Sequence, residues 1–466
     1  MPDVKDVASS ELFDFDIGLT ITPGKLPPLH LLTSKQVSYL SIRISNHFTN
    51  SPEGSVRRQG REYKFDTRFY GVIVSGATPE AVIAKLQSRK LWRRRLQGAA
   101  DLARLDYEAR NKMVGGSESG AELYASDVTV IKAREKKVEV ERYLSGQVIC
   151  NTATGDCIAL SELAQKAAAN RFNELYWVSK NFEAIADNCG MGWLFVTLTA
   201  PPKFHPNPLK GKCSYDADLG VRASHTYILS AWSRVRALLS KRGVKSGIYT
   251  YFGIRTAETH KDGSVHWHLL VFIEPTLVDV FTESCRRQFP EYGQVKFEVG
   301  DPEIGSASSY IFKYLAKGFD LAVSGEMIDG VVDSAREDSD LASIRNGERV
   351  RAALKAMRIR QYQTFGVKNV LSLLRAVNKL SLEELKSLSG EVPGIVIEKI
   401  WRKPLGLKFL LENDFLIAIQ DGEAPIMIVK EAGVGVYGEA TISAVGLKIG
   451  THIVRTRGRY KIEKAK

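Results

Sequence analysis

Cysteine is scarce in this chain, and its spacing carries no pattern. Cys150, Cys157, Cys189, Cys213 and Cys285 are the five in 466 residues, and no two stand in a C-x-x-C arrangement. An odd number so spaced argues against a disulfide framework and against a structural zinc site, and it fits a reducing cytoplasm. Long apolar runs are also missing: none approaches the ~18 residues that a membrane-spanning helix needs, so no membrane partner is expected. The opening MPDVKDVASSELFDFDIG is acidic and mixed. It lacks the basic start and apolar middle of a secretory signal. No G-x-x-x-x-G-K-[ST] occurs, which excludes a motor ATPase carrying that phosphate loop. Internal repeats and low-complexity tracts are absent as well.

What is present is the composition of a soluble globular protein, 44% hydrophobic and 25% charged. At typical domain sizes, 466 residues correspond to about three domains. The formal charge is +12, with Lys and Arg clustered in SRKLWRRRL (88 to 96), KAREKK (132 to 137) and RTRGRYKIEKAK (455 to 466). Such an excess suits a polyanionic partner, nucleic acid before membrane, because each neutralised phosphate releases a condensed counterion. Any one cluster also reads as a solvated face, the terminal one above all.

Apolar spacing of three and four residues predicts helices over 78–113 and 160–188, with the Arg run on the open face of the first. The character then changes. GWLFVTLTAP (192 to 201), SGIYTYFGIRTAET (246 to 259), VHWHLLVFI (265 to 273) and GQVKFEV (293 to 299) are β-branched and aromatic, and read as strands. Helices are expected near 221–241, 276–289 and 304–317. Strand, helix, hairpin, helix, strand, helix predicts an α+β domain on a largely antiparallel sheet. An acidic loop around 324–340, helical spacing in RVRAALKAMRIRQYQTF and VLSLLRAVNKL, and short β-like runs from about 393 complete the chain. The expected organisation is a largely helical DNA-binding region over 1–189, a catalytic α+β domain over 190–320, a helical extension over 321–390, and a small β-rich module over 391–466.

The stretch ETHKDGSVHWHLLVF (258 to 272) concentrates the chemistry. Alternation along a strand puts His266 and His268 on one face, with Trp267 on the other. A hairpin with a three-residue loop centred on Asp262 brings Glu258 directly opposite His266. Two imidazoles and a carboxylate then converge, a donor set that suits Mn²⁺ or Mg²⁺ with open coordination positions better than closed structural zinc. An H-x-H on a strand is by itself more often a solvent-facing pair, and the acid across the hairpin strengthens the metal reading. Downstream, in SSYIFKYLAK (308 to 317), Tyr310 and Tyr314 share a helix face, with Lys317 one turn later and Lys313 beside it. An arbitrary Y-x-x-x-Y is more often core packing, but the lysines argue against full burial. A tyrosine hydroxyl, ordinarily near pKa 10, needs a polarised target to act as a nucleophile, and a divalent ion on a phosphodiester supplies it.

FVTLTAPPKFH (195 to 205), HKDGSVHWHLLVF and YIFKYLAK resemble, in that order, the three motifs of rolling-circle replication initiators of the HUH endonuclease superfamily. The similarity is greatest to the replication gene A proteins of tailed phages and prophages. WRRRLQGAADLARLDYEARNKMVG, YASDVTVIKAREKK, NELYWVSKNFEAIADNCG and RVRAALKAMRIRQYQTFGVKNVLSLLRAVNKL resemble that family's flanking blocks, so the similarity covers about residues 90 to 380. The resemblance implies an RRM/ferredoxin-like HUH nuclease core, with His266, His268 and Glu258 as ligands of Mg²⁺ or Mn²⁺. Tyr310 and Tyr314 become the two nucleophiles, and Lys317 and Lys313 assist charge or proton transfer. Thr197 and Thr199 help bind the strand to be cut. It further implies a nick at a replication origin, a 5'-phosphotyrosine link, a free 3'-hydroxyl that primes synthesis, a Rep-type host helicase as partner, and action in the cytoplasm of a bacterial host cell. Arg93, Arg94 and Arg95 are candidate contacts to duplex origin DNA. Ala200 and Pro202 stand where the family pattern has Cys and Ser, and KGFD replaces KNID; these departures touch DNA contacts or packing rather than the ligands. Relaxases and transposases of the same superfamily, a hydrolase using water, and a non-catalytic RRM-like single-strand binder are the competing readings.

Overall fold

The computed structural model describes residues 28–50, 56–67, 70–117, 121–152, 154–300, 306–308, 311, 341–367, 370–377, 379–380, 410, 412, 415, 418, 423–456 and 459–465. The chain divides into two compact units, residues 1–107 with 432–442, and residues 108–431 with 443–466. Helices and antiparallel sheets mix throughout, as an α+β chain requires.

In the first unit, helix α1 (Ser34–Asn50) buries Val37, Leu40, Ile44 and Phe48, the three- and four-residue spacing of one apolar stripe. A three-stranded antiparallel sheet follows, β1 (Arg57–Gln59), β2 (Glu62–Thr67) and β3 (Val72–Gly76). Helix α2 (Pro79–Leu86) starts at Thr78, whose hydroxyl accepts a hydrogen bond from the Ala81 amide, with Pro79 at the first helical position. Helix α3 (Arg89–Arg110) brings Leu91, Trp92 and Leu96 into the core, where Trp92 stacks on Phe48 with ring centroids 6.0 Å apart. The sheet β1–β3 is an addition to the helices expected in this part of the chain. Its strands are short and exposed on one side, and carry no long apolar run to announce them.

In the second unit, α4 (Asp127–Ser145) leads into the hairpin β4 (Gln147–Asn151) and β5 (Cys157–Ala159). Cys150 and Cys157 face each other in this ladder and are joined by a disulfide. That corrects the expectation of unpaired cysteines: the pairing follows from strand register across a seven-residue separation, which no spacing rule detects. Helix α5 (Leu160–Asn188) then runs for 29 residues over the expected range.

The centre of this unit is a five-stranded sheet built from β6 (Gly192–Thr199), β7 (Tyr251–Thr259), β8 (Val265–Ile273), β9 (Val295–Val299) and β10 (Tyr362–Phe365). Its order is β10-β7-β8-β6-β9, with every neighbouring pair antiparallel. Strands β7 and β8 are buried at all nine positions each, covered on both faces. On one face Phe195, Phe252, Ile254, Leu270 and Phe272 join Val178, Phe182 and Ala186 of α5. Burying each such phenylalanine contributes about 2–3 kcal/mol. On the other face lie α6 (Ala223–Lys241) and α7 (Val278–Gln288), where Trp232 and Tyr251 both pack against Phe281.

Helix α8 (Leu341–Ala356) ends before the run expected to continue it, since QYQTF supplies β10 instead. Its last four residues, Tyr362–Phe365, are aromatic and polar by turns and find the open edge of β7, a non-local choice that helical spacing could not foresee. Helix α9 (Val370–Val377) lies where expected. Phe415 and Ala418, expected in a β-like run, are helical. The C-terminal strands are β11 (Ile426–Val434), β12 (Ala440–Ile449), β13 (His452–Arg455) and β14 (Tyr460–Lys464). The first three form one sheet, but β14 pairs with β4. Ile426, Leu447 and Ile449 belong to the same core as Phe252, so this stretch packs with the central sheet of its unit. No described helix is long and apolar enough to cross a membrane.

Candidate functional site

The face of the central sheet that carries Phe195, Ile254 and Leu270 turns polar toward the end of β7 and the start of β8. Register sets the change. On β8, His268 stands between Thr256 of β7 and Thr197 of β6, and His266 between Glu258 and Thr199. The two-residue alternation read from the sequence therefore holds across three strands, and Glu258 lies opposite His266 as expected. The β7–β8 turn is closed by two backbone bonds, His260 N to Ser264 O (2.7 Å) and Gly263 N to His260 O (2.9 Å), leaving Lys261, Asp262 and Gly263 at its apex.

His266 Nε2 and His268 Nε2 are 2.8 Å apart, and Glu258 Oε2 stands 3.5 Å from His268 Nε2 and 3.9 Å from His266 Nε2. All three side chains are buried, and their ligand atoms lie within 4.8 Å of one another. Two nitrogen ligands at ~2.1 Å from one ion, subtending a right angle, stand about 3 Å apart, so the observed spacing fits a shared divalent cation. His268 Nδ1 is 3.1 Å from Thr197 Oγ1. With Nδ1–H donating to that hydroxyl, the tautomer is fixed and the Nε2 lone pair is left to face an ion. Phe195 stacks on the His268 ring at 5.4 Å and limits its rotation. Thr256 Oγ1, buried on the same face, has no hydrogen-bond partner among the described residues. A buried polar orphan beside two imidazoles and a carboxylate suits a hydrated hard cation better than a dry core.

Behind this trio lies a second polar cluster. His205, following β6, has Nδ1 2.9 Å from Asp262 Oδ2 and 3.0 Å from Ser264 Oγ, and Nε2 3.2 Å from the Ala200 carbonyl. His260 is sandwiched between His266 and His205, at 4.0 Å and 5.1 Å between ring centroids. Burial pushes its pKa down to about 4, His205 and His268 adding to that effect and the charges of Asp262 and Glu258 opposing it. For His205 burial works to lower the pKa, but the hydrogen bond and charge of Asp262 outweigh it and raise the value. Asp262 is buried too, which opposes ionisation, yet His205 and Ser264 hold its carboxyl below the ordinary range.

The structure thus brings together Glu258, His266, His268, Thr197 and Thr199. Arg93, Arg94 and Arg95 are exposed on α3 of the first unit. Tyr310, Lys313, Tyr314 and Lys317 lie outside the described residues. Ala307, Ser308 and Ile311 are helical; Ala307 and Ile311 enter the core beside Phe195 and Phe252, and Ser308 Oγ donates to Glu183 of α5 at 2.6 Å. Sequence reasoning assigned no role to His205, His260, Asp262 or Ser264. The only signal was that His205 closes the first motif and that Asp262 sits at the turn.

Comparison with known proteins adds a family match and no structural one. The family model described as bacteriophage replication gene A protein (GPA) matches residues 74–322. The replication protein of Haemophilus phage HP1 is 29% identical over 303 residues, 62% of this chain and 36% of that protein. The probable replication endonuclease from a prophage-like region of Escherichia coli O6:H1 is 26% identical over 334 residues, 68% of this chain and 38% of that protein. The replication gene A protein of Escherichia phage 186 is 32% identical over 292 residues, 59% of this chain and 40% of that protein. The chain therefore spans roughly two fifths of the length of these relatives. No solved structure matches.

Proposed function

Because the chain belongs to the bacteriophage replication gene A protein family, we propose that it is a DNA endonuclease and strand transferase that nicks a replication origin through a tyrosine nucleophile. The observation that carries this reading is the convergence of Glu258, His266 and His268 on one buried sheet face. The name of the Escherichia coli relative, a probable replication endonuclease, supports the nuclease class. An antiparallel five-stranded sheet with the histidine pair on its middle strand supports an HUH core of RRM/ferredoxin-like type. A divalent ion, Mg²⁺ or Mn²⁺, bound by the trio would polarise the scissile phosphate as a Lewis acid.

The remaining work falls to side chains. Thr197 holds the tautomer and orientation of His268, and Glu258 supplies the negative charge that makes the trio cation-selective. Ser308 and Ile311 are held against the same side of the sheet by Glu183 and the core, which supports Tyr310, and Tyr314 after it, as the groups that meet the phosphate. In the step, the tyrosine hydroxyl gives its proton to solvent water, its oxygen forms a bond to phosphorus, and the bond from phosphorus to the 3'-oxygen breaks. The leaving oxygen takes up a proton, and Lys317 or Lys313 is the proposed source. The product is a 5'-phosphotyrosine with a free 3'-hydroxyl, which conserves the phosphodiester energy for later rejoining and primes rolling-circle synthesis. Thr199 is proposed to contact the bound strand. Unwinding is assigned to a Rep-type host helicase, and the site of action is the cytoplasm of a bacterial host.

The test is incubation of the chain with labelled single-stranded DNA from its own replicon's origin, with and without Mn²⁺ or Mg²⁺. Denaturant-resistant protein–DNA adducts are expected only with metal. Tyr310→Phe and Tyr314→Phe should each retain adduct and the double variant should lose it. Cleavage without an adduct would replace tyrosine by water as nucleophile, and tight binding without cleavage would make the chain a single-strand binding protein.

A further inference from the structure

The turn that joins Glu258 to His266 is locked from outside the hairpin. Asp262 at its apex is only 5% exposed. Its Oδ1 accepts from the Ser264 amide at 3.0 Å and from the Ser264 hydroxyl at 2.6 Å, while Oδ2 faces His205 Nδ1 at 2.9 Å. The protons of this network can be assigned. A backbone carbonyl only accepts, so His205 Nε2 carries the hydrogen that it gives to Ala200 O. An ionised carboxylate also only accepts, so Nδ1 carries one as well, shared between Asp262 Oδ2 and Ser264 Oγ. His205 is therefore an imidazolium and Asp262 its counter-ion, a charge-assisted pair shielded from water.

Further bonds fix the apex. Tyr124 N donates to Lys261 O at 2.9 Å, and Gly116 N donates to Asn207 O at 2.9 Å, two residues beyond His205. Gly115, at φ +86°, packs so closely that a Cβ there would stand 2.7 Å from Asp262 Cα. Ser264 lies two residues before His266, and His260 lies two residues after Glu258. The set of the turn thus passes directly into the two strands that carry the proposed ligands.

We propose that His205, Asp262 and Ser264 form a positioning clamp that presets the separation of Glu258 from His266, so that a divalent cation meets a rigid site. His205 does not touch the ion; it acts through the turn. The assignment rests on the reading of Glu258, His266 and His268 as a cation site.

The test is titration of the full chain with Mn²⁺ alone, bound metal being read by calorimetry and by the electron paramagnetic resonance signal of free Mn²⁺. Wild type, Glu258→Ala, His205→Gln, Asp262→Asn and the double variant His205→Gln/Asp262→Asn are compared. Loss of a residue that hydrogen-bonds a metal ligand weakens metal affinity about 10–100-fold, and because the clamp acts one step further out, through the turn, about tenfold is the shift expected for each single clamp variant. The double variant should be no weaker than the weaker single one, because both substitutions break one interaction. Ser264→Ala leaves the ion pair in place and removes only the hydroxyl's two hydrogen bonds, to Asp262 Oδ1 and from His205 Nδ1; it should cost about threefold to tenfold, which keeps the test open should a charged-pair variant fail to fold. Wild-type affinity in all clamp variants, alongside loss in Glu258→Ala, would overturn the clamp and leave the cation site standing. A wild type that binds Mn²⁺ no better than Glu258→Ala would remove the cation site, and the clamp's role with it.

Discussion

His205 carries a proton that its burial opposes and Asp262 defends, and the pair gives stability a defined pH dependence. The His205 pKa is raised in the folded chain, so its contribution is complete below the ordinary histidine value near 6.5 and is lost as pH rises through the folded value. The Asp262 pKa is lowered, so its contribution is complete above the ordinary aspartate value near 3.9 and is lost as pH falls through the folded value. The advantage of wild type over Asp262→Asn in urea midpoint should therefore be greatest near pH 5 and shrink steadily toward pH 9. A constant difference across that range would show that the pair is not ionised. At this scale the trio Glu258, His266 and His268 was legible, because strand alternation and an Asp-Gly turn are local rules. His205 was not legible, because its partner is 57 residues away and only the fold brings the two together.

Among the elements, β7 depends on an absence. Gly253 sits where β7, β8 and β10 press together: a Cβ there would lie 1.9 Å from the Leu270 carbonyl oxygen and 3.0 Å from Phe365. Backbone cannot yield as a side-chain tip can, so Gly253→Ala should cost about 3 kcal/mol or more, the upper end of overpacking penalties, measured by chemical denaturation. Loss of less than about 1 kcal/mol would mean that the sheet relaxes there. The long elements α5 and β8 followed from the sequence to the residue, since 29 residues of helical spacing and a nine-residue run of apolar residues broken only by two histidines on one face leave little choice. The short strands did not. β10 and the sheet β1–β3 owe their form to partners rather than to their own residues.

For the molecule as a whole, the +12 charge is the property that a nucleic acid meets first. Binding of duplex DNA should weaken steeply with salt, each phosphate contact adding about 0.9 to the slope of log affinity against log salt. Replacing Arg93, Arg94 and Arg95 together by Ser should reduce that slope by about 2 to 3, as measured by fluorescence anisotropy over a salt series. An unchanged slope would assign those exposed residues to the solvated face of α3. Charge excess was visible in composition; which strands close which sheet was not. The pairing of β14 with β4 joins segments some three hundred positions apart, and it sets a timetable for synthesis. On a ribosome adding about 5–20 residues per second, β4 emerges roughly 15 to 60 s before the strand that covers its edge. Through that interval the nascent chain offers an unpaired edge on β4, a natural docking point for chaperones and a hazard when neighbouring ribosomes on the same message present the same edge.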